Sequence, residues 1–551
     1  MKNNGHIETS RLGALRGPQL AAVFALTVFA ACNNDTASDD RSERTPPVQQ
    51  DAWSDAELVD QDGDVAEDSD ASIAPTQCVT DPCLILRSFQ RNGDPDSNSG
   101  GFYVVDLANP GEVSPRYNAT YPQDERPTPS VAQFTSTYNA LIWKQTSADY
   151  QRVEVVRVAH DAPGVEVPLF ENFTGGHFHR VANSNRMLAA VEKTRGSVLR
   201  EVFSFVPEPG ATLTRLHPEL NSDYTYQGFR VAEDTAQVVT HAAHHQEVDG
   251  ESTLVHKFWR APIDGSTPAE LIDFGREGWH TNQWEISRGD APQIFALRRK
   301  NGVERILDVA SLDAPQDLTQ IETTTQLDSG IDSAHWAAVP GRLIYYNTTK
   351  EHENATPSAV SVTVVDTTNN QRLVDHLALG EGRFKCEIFA RAPEKLFCTS
   401  LSHDTSFNSV TSMIAFDDPT TVIPLFDGPF GHARIADGFS HIGPQGRYLY
   451  FQREVGGSQV INRIDFENPG DIEQVIPAQG QVGQLYRADL SENEEWIVWS
   501  LKEISEDAPM GNSQTLYGAK FDALDAPVEL ARGAEDEPIF GPSFSWTFVA
   551  N

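Results

Sequence analysis

Histidines are the residues of this 551-residue chain best suited to chemistry near neutral pH, and several of them cluster. "HAAHH" places His241, His244 and His245 at the end of a strand-like stretch, where alternation sets His241 and His245 on one face and His244 on the other. Imidazole nitrogens ligate Zn, Cu, Fe and Ni. An exposed His-rich strand end accounts for the same letters, and it is the reading adopted here. Histidines also recur just ahead of the apolar strands described below, in "GGHFHR" (His177, His179), "GWHTNQW" (His280), "SAHW" (His335) and "FGHAR" (His432). If these occupy one position of a repeat, they converge on a shared opening beside Asn282 and Asp332. There they could hold a divalent metal, the one cofactor the pattern points to, or an anionic sugar. The competing expectation, which we favour, is that each histidine bonds within its own unit and the match reflects common descent.

Acidic motifs invite a calcium reading. "DPDSNSG" spaces Asp94, Asp96 and Asn98 like calcium ligands in a strand-connecting loop, but its glycine falls one position late, and an Asx/Gly turn explains it. "DQDGDVAEDSD" has Val65 where a calcium loop places the glycine after Asp60, Asp62 and Asp64, so a solvated acidic segment is expected. There is no Gly-x-Ser-x-Gly elbow, no His-Glu-x-x-His and no phosphate-binding glycine loop. The formal charge of −37, from 79 acidic and 42 basic residues, argues against nucleic acid as a partner, and against an anionic lipid surface as one.

The N-terminus reads as an address. Lys2, Arg11 and Arg16 precede the apolar run Leu20–Ala31, which is too short to span a bilayer needing about 20 residues. A basic start, a short apolar centre and small residues before a cut describe an export signal. With Cys32 directly after Phe29-Ala30-Ala31, the segment resembles a bacterial lipoprotein signal, with Phe29 where that family usually has leucine. The resemblance implies that 1–31 are removed and Cys32 is lipidated. Asn33, in place of the aspartate that marks inner-membrane retention in some bacteria, points to the outer membrane. Residues 33–77 hold 13 acids and 2 bases with few large apolar side chains, so 32–77 is expected to be a disordered tether. The membrane is thus engaged through the anchor alone.

With Cys32 set aside, Cys78, Cys83, Cys386 and Cys398 remain, an even number suited to an oxidising compartment. Four cysteines allow three connectivities. We choose the local pairs, because Cys386 and Cys398 flank "EIFARAPEKLF", a hairpin that sets them opposite each other.

The elements that must position all of these residues repeat. An apolar strand returns as "CLILRSF" (83), "NALIWKQ" (139), "RMLAAVE" (186), "AQVVTHA" (236), "PQIFALR" (292), "RLIYYNT" (342), "KLFCTSL" (395), "RYLYFQR" (447) and "EWIVWSL" (495), with spacings of 47 to 56 residues by subtraction. Tight polar turns such as "SRGD" and "GPQG" precede most copies, and "NPG" or "DAP" turns follow the next strand. Four strands per unit of this size, without amphipathic helices, predict an all-β chain forming a single β-propeller of four-stranded blades over 78–551. Nine units are counted, with eight if one is miscounted. The first unit lacks a leading strand and "GPSFSWTFVAN" at the C-terminus lacks partners, so Ser543–Val549 is expected beside Leu84–Phe89, closing the ring.

"GPQGRYLYF" and "SENEEWIVWS" resemble degenerate TolB-type propeller repeats, in which Ser-Pro-Asp-Gly precedes an apolar strand. The resemblance covers about residues 84 to 551 and implies fold rather than activity. The expectation for function is a monomeric, lipid-anchored binding scaffold that presents a propeller face to a protein or glycan of the cell envelope. The alternative is a metal-dependent enzyme with its site in the propeller funnel, for which oligogalacturonate lyases are a fold-level analogy.

Overall fold

The computed structural model describes the chain from Cys83 to Val549 apart from stretches between strands, the longest being 123–131, 402–409, 427–439, 504–512 and 534–543. The expected signal and tether at 1–77 lie outside the described residues. Among the described residues there are nine four-stranded sheets, all antiparallel within themselves, and one 3-10 turn, Glu233–Thr235. We number the sheets 1 to 9 in chain order and the strands of each a to d across the sheet.

Strand b is in every sheet the apolar run of the sequence repeat: Cys83–Arg91, Ala140–Gln145, Met187–Glu192, Gln237–Val248, Gln293–Lys300, Arg342–Thr349, Lys395–Leu401, Tyr448–Val455 and Trp496–Glu503. All nine repeats therefore have a sheet of their own, and the count of nine stands. Strands b and c are continuous apolar runs because neighbouring sheets cover both of their faces. Ile294, Phe295, Ala296 and Leu297 are buried in succession, as are Val364 and Val365. Strand d is the edge opposite strand a and buries little; in Glu270–Ile272 only Ile272 is buried. The tight turns ahead of strand b need left-handed residues, supplied by Gly341 (φ 71°) and Gly446 (φ 65°), where a side chain would be strained.

The sheets meet face to face. Leu141 and Val155 of sheet 2 pack on Phe178 and Met187 of sheet 3. Phe295 and Leu307 of sheet 5 pack on Ile331 and Leu343 of sheet 6, and Val362 and Val364 of sheet 6 on Ile388 and Leu396 of sheet 7. Clusters of this kind join sheets 2 to 9 in series. In sheet 1, strand a comes from the other end of the chain: Phe544–Val549 pairs with Cys83–Arg91, Leu84 opposite Phe548 and Ser88 opposite Phe544. Leu84 and Val105 of this sheet pack on Val498 and Leu516 of sheet 9.

Two expectations are corrected here. "HAAHH" lies inside a twelve-residue strand, Gln237–Val248, not at a strand end, because the hairpin with Glu251–Pro262 continues past it. Asn98 belongs to strand c of sheet 1, Ser97–Asp106, rather than to a loop, while Asp94 and Asp96 lie outside the described residues.

Candidate functional site

Strand a of each sheet carries the chemistry. Among the described residues it contains a bulge in four sheets, and the four bulges fall in one register. In sheet 4 the pairing skips Gln227, in sheet 5 Asn282, in sheet 6 Asp332 and in sheet 9 Tyr486. Each skipped residue faces the gap between the fifth and sixth residues of its strand b. A bulge re-aims the side chain it inserts. Asn282, Asp332 and Tyr486 are exposed, Tyr486 at 56%, while the residues before them, Thr281, Ile331 and Leu485, are buried. Asp332 is paired with Lys350 at 2.7 Å, and Lys502 Nζ stands 5.5 Å above the Tyr486 ring.

A second position of strand a is ionisable in six consecutive sheets. Arg230, Glu285, His335, Glu387, His441 and Asp489 each oppose the third residue of strand b. Arg230, Glu285, His335, Glu387 and His441 reach the neighbouring sheet, while Asp489 pairs with Arg487 of its own strand. Arg230 lies over Trp284 at 5.4 Å, His335 Nε2 donates to Cys386 O at 3.0 Å, and His441 Nε2 is 3.2 Å from Glu494. Burial governs the titration of the carboxyls and imidazoles among them. It pushes the carboxyls of Glu285, Glu387 and Asp489 up, lowers His441, and lowers His335 to about 4. The first five act as staples across the seams between sheets.

Of the histidines expected at a common opening, the described ones stand at different places in their strands. His280 is the first residue of its strand and His335 the seventh of its own, so their registers differ. His179 faces Glu233 at 3.6 Å in the seam of sheets 3 and 4, and His335 bonds across the seam of sheets 6 and 7. His432 and the side chain of His177 lie outside the described residues. Among the described residues no three His, Cys, Asp or Glu side chains are grouped to hold a metal ion.

The structure instead links His280 to a histidine of "HAAHH" through one that the sequence reading passed over, His256. His241 Nε2 is 2.9 Å from His256 Nδ1, and His256 Nε2 is 3.1 Å from His280 Nδ1. Thr281 N–H donates to His256 Nε2 at 3.2 Å. That donation fixes the tautomers: His256 carries its hydrogen on Nδ1 and gives it to His241 Nε2, and His280 Nδ1–H points at His256 Nε2. The chain runs from exposed His280 to His241, which is 3% exposed and stacks on Phe258 at 4.3 Å. Ring-to-ring bonds occupy the lone pairs of His241 Nε2 and His256 Nε2. Burial lowers all three rings, His256 to about 3, so each is neutral at pH 7.

Cys386 and Cys398 face each other directly across strands a and b of sheet 7 and are bonded, with Cα atoms 4.0 Å apart. Cys32 and Cys78 lie outside the described residues, as does the side chain of Cys83. The bulge residues left a faint sequence signal, since Gln227, Asn282, Asp332 and Tyr486 each stand three residues before an ionisable residue of strand a. Their residue types vary too widely for the pattern to be seen before the strand registers are known.

No protein-family model matches the chain, and no characterised protein matches it in sequence. Solved structures do. A crystal structure described as a eukaryotic initiation factor aligns over 85% of this chain and 98% of its own, with a TM-score of 0.50 and 10% identity. That likeness establishes the fold alone. TolB from Acinetobacter baumannii aligns over 54% of this chain and 69% of its own, at 13% identity and a TM-score of 0.25. The acylaminoacyl peptidase of Pyrococcus horikoshii aligns over 56% of this chain and 46% of its own, at 12% identity and a TM-score of 0.31. At those scores neither bears on function.

Proposed function

We propose that the nine sheets close into one β-propeller, and that the chain is an outer-membrane lipoprotein binding a protein or glycan of the envelope through the strand a edges that line its funnel. Closure is supported by the pairing of Phe544–Val549 with Cys83–Arg91 and by the packing of sheet 9 on sheet 1. In a propeller the first strands surround the axis, so the bulge residues of different blades face a common space. The observation that carries the binding reading is the repetition of the bulge in one register, with Asn282, Asp332 and Tyr486 exposed on it. Amides and carboxylates bond hydroxyls and peptide groups, and an exposed tyrosine supplies a flat apolar contact at low entropic cost. No observation favours the metal-dependent enzyme.

The test has two parts. Cys32→Ala should move the protein from membrane to soluble fractions; a wild type already soluble and cleaved elsewhere removes the anchor. Partners cross-linked to the anchored chain in its native membrane should be lost in an Asn282→Ala, Tyr486→Ala double variant that keeps its melting temperature. Partners lost instead on substituting strand d residues such as Leu271 or Val528 would place binding on the outer rim and overturn the reading.

A further inference from the structure

Thr281 immediately precedes the bulge residue Asn282, and its N–H is held by a histidine of the neighbouring sheet. The bulge therefore depends on the seam between sheets 4 and 5. We propose that the His241–His256–His280 chain is an acid-operated latch on the Asn282 bulge: neutral His256 accepts from Thr281 N–H and holds the bulge in place, and protonated His256 releases it. This rests on the reading of the bulges as the binding edge, and adds its regulation.

The geometry makes His256 an either–or group. Neutral, with hydrogen on Nδ1, it offers one lone pair at Nε2, which Thr281 N–H shares with His280 Nδ1–H. Protonated, it carries hydrogen on both nitrogens, so the Thr281 N–H faces another N–H and loses its acceptor. His241 cannot relieve the ring, because its Nε2 already accepts from His256 and its buried Nδ1 has no partner among the described residues.

A cationic or histidine neighbour opposes a proton on each of the three rings. His241 feels Arg230 of strand a of sheet 4, His256 feels Arg298 of strand b of sheet 5, and His280 feels Arg299 of that strand and His245 of strand b of sheet 4. Asp308 of strand c of sheet 5 is bound to Arg298 and Arg276, and Glu285 of strand a feels Arg230. A proton therefore enters His256 by opening the seam rather than within it. In the open state the ring has an ordinary histidine affinity near pH 6.5. Below that value only the open state binds the proton readily, so opening becomes about tenfold more frequent per pH unit, until the closed ring itself titrates. Sheet 9 repeats the bulge on a strand a that holds no histidine, Gln484–Leu490, which makes it the internal reference.

Hydrogen exchange by mass spectrometry on the full chain tests this without any ligand. After correction for intrinsic exchange, opening of 279–286 should rise roughly 50-fold between pH 6.5 and 4.5, approaching tenfold per unit for one histidine. Opening of 484–490, around the Tyr486 bulge, should not follow. His256→Gln, whose amide oxygen can still accept from Thr281 but does not titrate, should abolish the slope. A common pH profile for the two segments, or a slope retained in His256→Gln, overturns the latch. If that variant does not fold, nitrogen NMR of the wild-type histidine rings decides: protonation of His256 without loss of the protected Thr281 amide also overturns it. Failure of the binding reading would appear separately, as partners unaffected by Asn282→Ala and Tyr486→Ala.

Discussion

Leu84, in the first described strand, pairs with Phe548 near the end of the chain, and Leu84 itself is fully buried against sheet 9. The two termini of the described chain thus share one sheet, and its stability depends on both. Deleting 544–551 should leave the edge of Cys83–Arg91 unpaired, an invitation to aggregate. Size-exclusion chromatography should show oligomers. Leu84→Ala, which keeps the pairing but empties the core, should cost about 2–5 kcal/mol in urea unfolding while the protein stays monomeric. A truncated chain that remains monomeric with an unchanged urea midpoint would contradict this arrangement.

The Cys386–Cys398 bond joins residues separated by 12 positions and is buried, with the cysteines 0% and 2% exposed. A loop of that length contributes about 2–3 kcal/mol through the unfolded state. Cys386→Ala/Cys398→Ala should therefore lower the unfolding free energy by that amount. The native protein should resist mild reductant until denaturant is added. Thiol labelling of the folded protein after reductant, counted by mass, checks the second point.

Arg298 and Asp308 form an ion pair with both side chains at 0% exposure, and Arg298 also bonds Phe274 O. Arg276 adds a second contact to Asp308 at 2.9 Å. Such a pair is strong evidence of coupling but weak evidence of net stabilisation, since burial of both charges opposes their attraction. Breaking it is another matter. Asp308→Ala leaves a buried guanidinium uncompensated and should destabilise by about 3–5 kcal/mol. A double substitution with Arg298→Met should recover much of that loss. Recovery below about 1 kcal/mol in a double-mutant cycle would contradict the account.

Stability should fall on mild acidification. His335 is lowered to about 4 in the folded chain, against an unfolded value near 6.5. A folded pKa below the unfolded one means that the unfolded chain binds the proton first, so stability is complete above pH 6.5 and is lost as pH falls towards 4. Its contribution should drop by roughly 2 kcal/mol between pH 6.5 and 5. The raised carboxyls of Glu285, Glu387 and Asp489 work in the opposite sense, losing stability as pH rises above their ordinary range. Comparing urea midpoints of wild type and His335→Gln at pH 7 and pH 5 isolates the histidine, because the wild type should lose more across that interval.

The sequence by itself determined the periodic part of this protein. The nine apolar runs from "CLILRSF" to "EWIVWSL" are strand b of nine sheets, because a strand covered on both faces must be apolar throughout and is legible without its neighbours. The unpaired ends of the chain likewise foretold the pairing of Cys83–Arg91 with Phe544–Val549, since an open edge calls for a partner. Register was decided by tertiary structure. His280 and His335 look alike before their apolar strands, yet one opens strand a and the other nearly closes it, because turn length sets which residues oppose one another. The bulges at Asn282, Asp332 and Tyr486, and the meeting of His241, His256 and His280, depend on two sheets packing together. No local pattern encodes that contact, because the residues that make it are brought side by side only when the sheets stack.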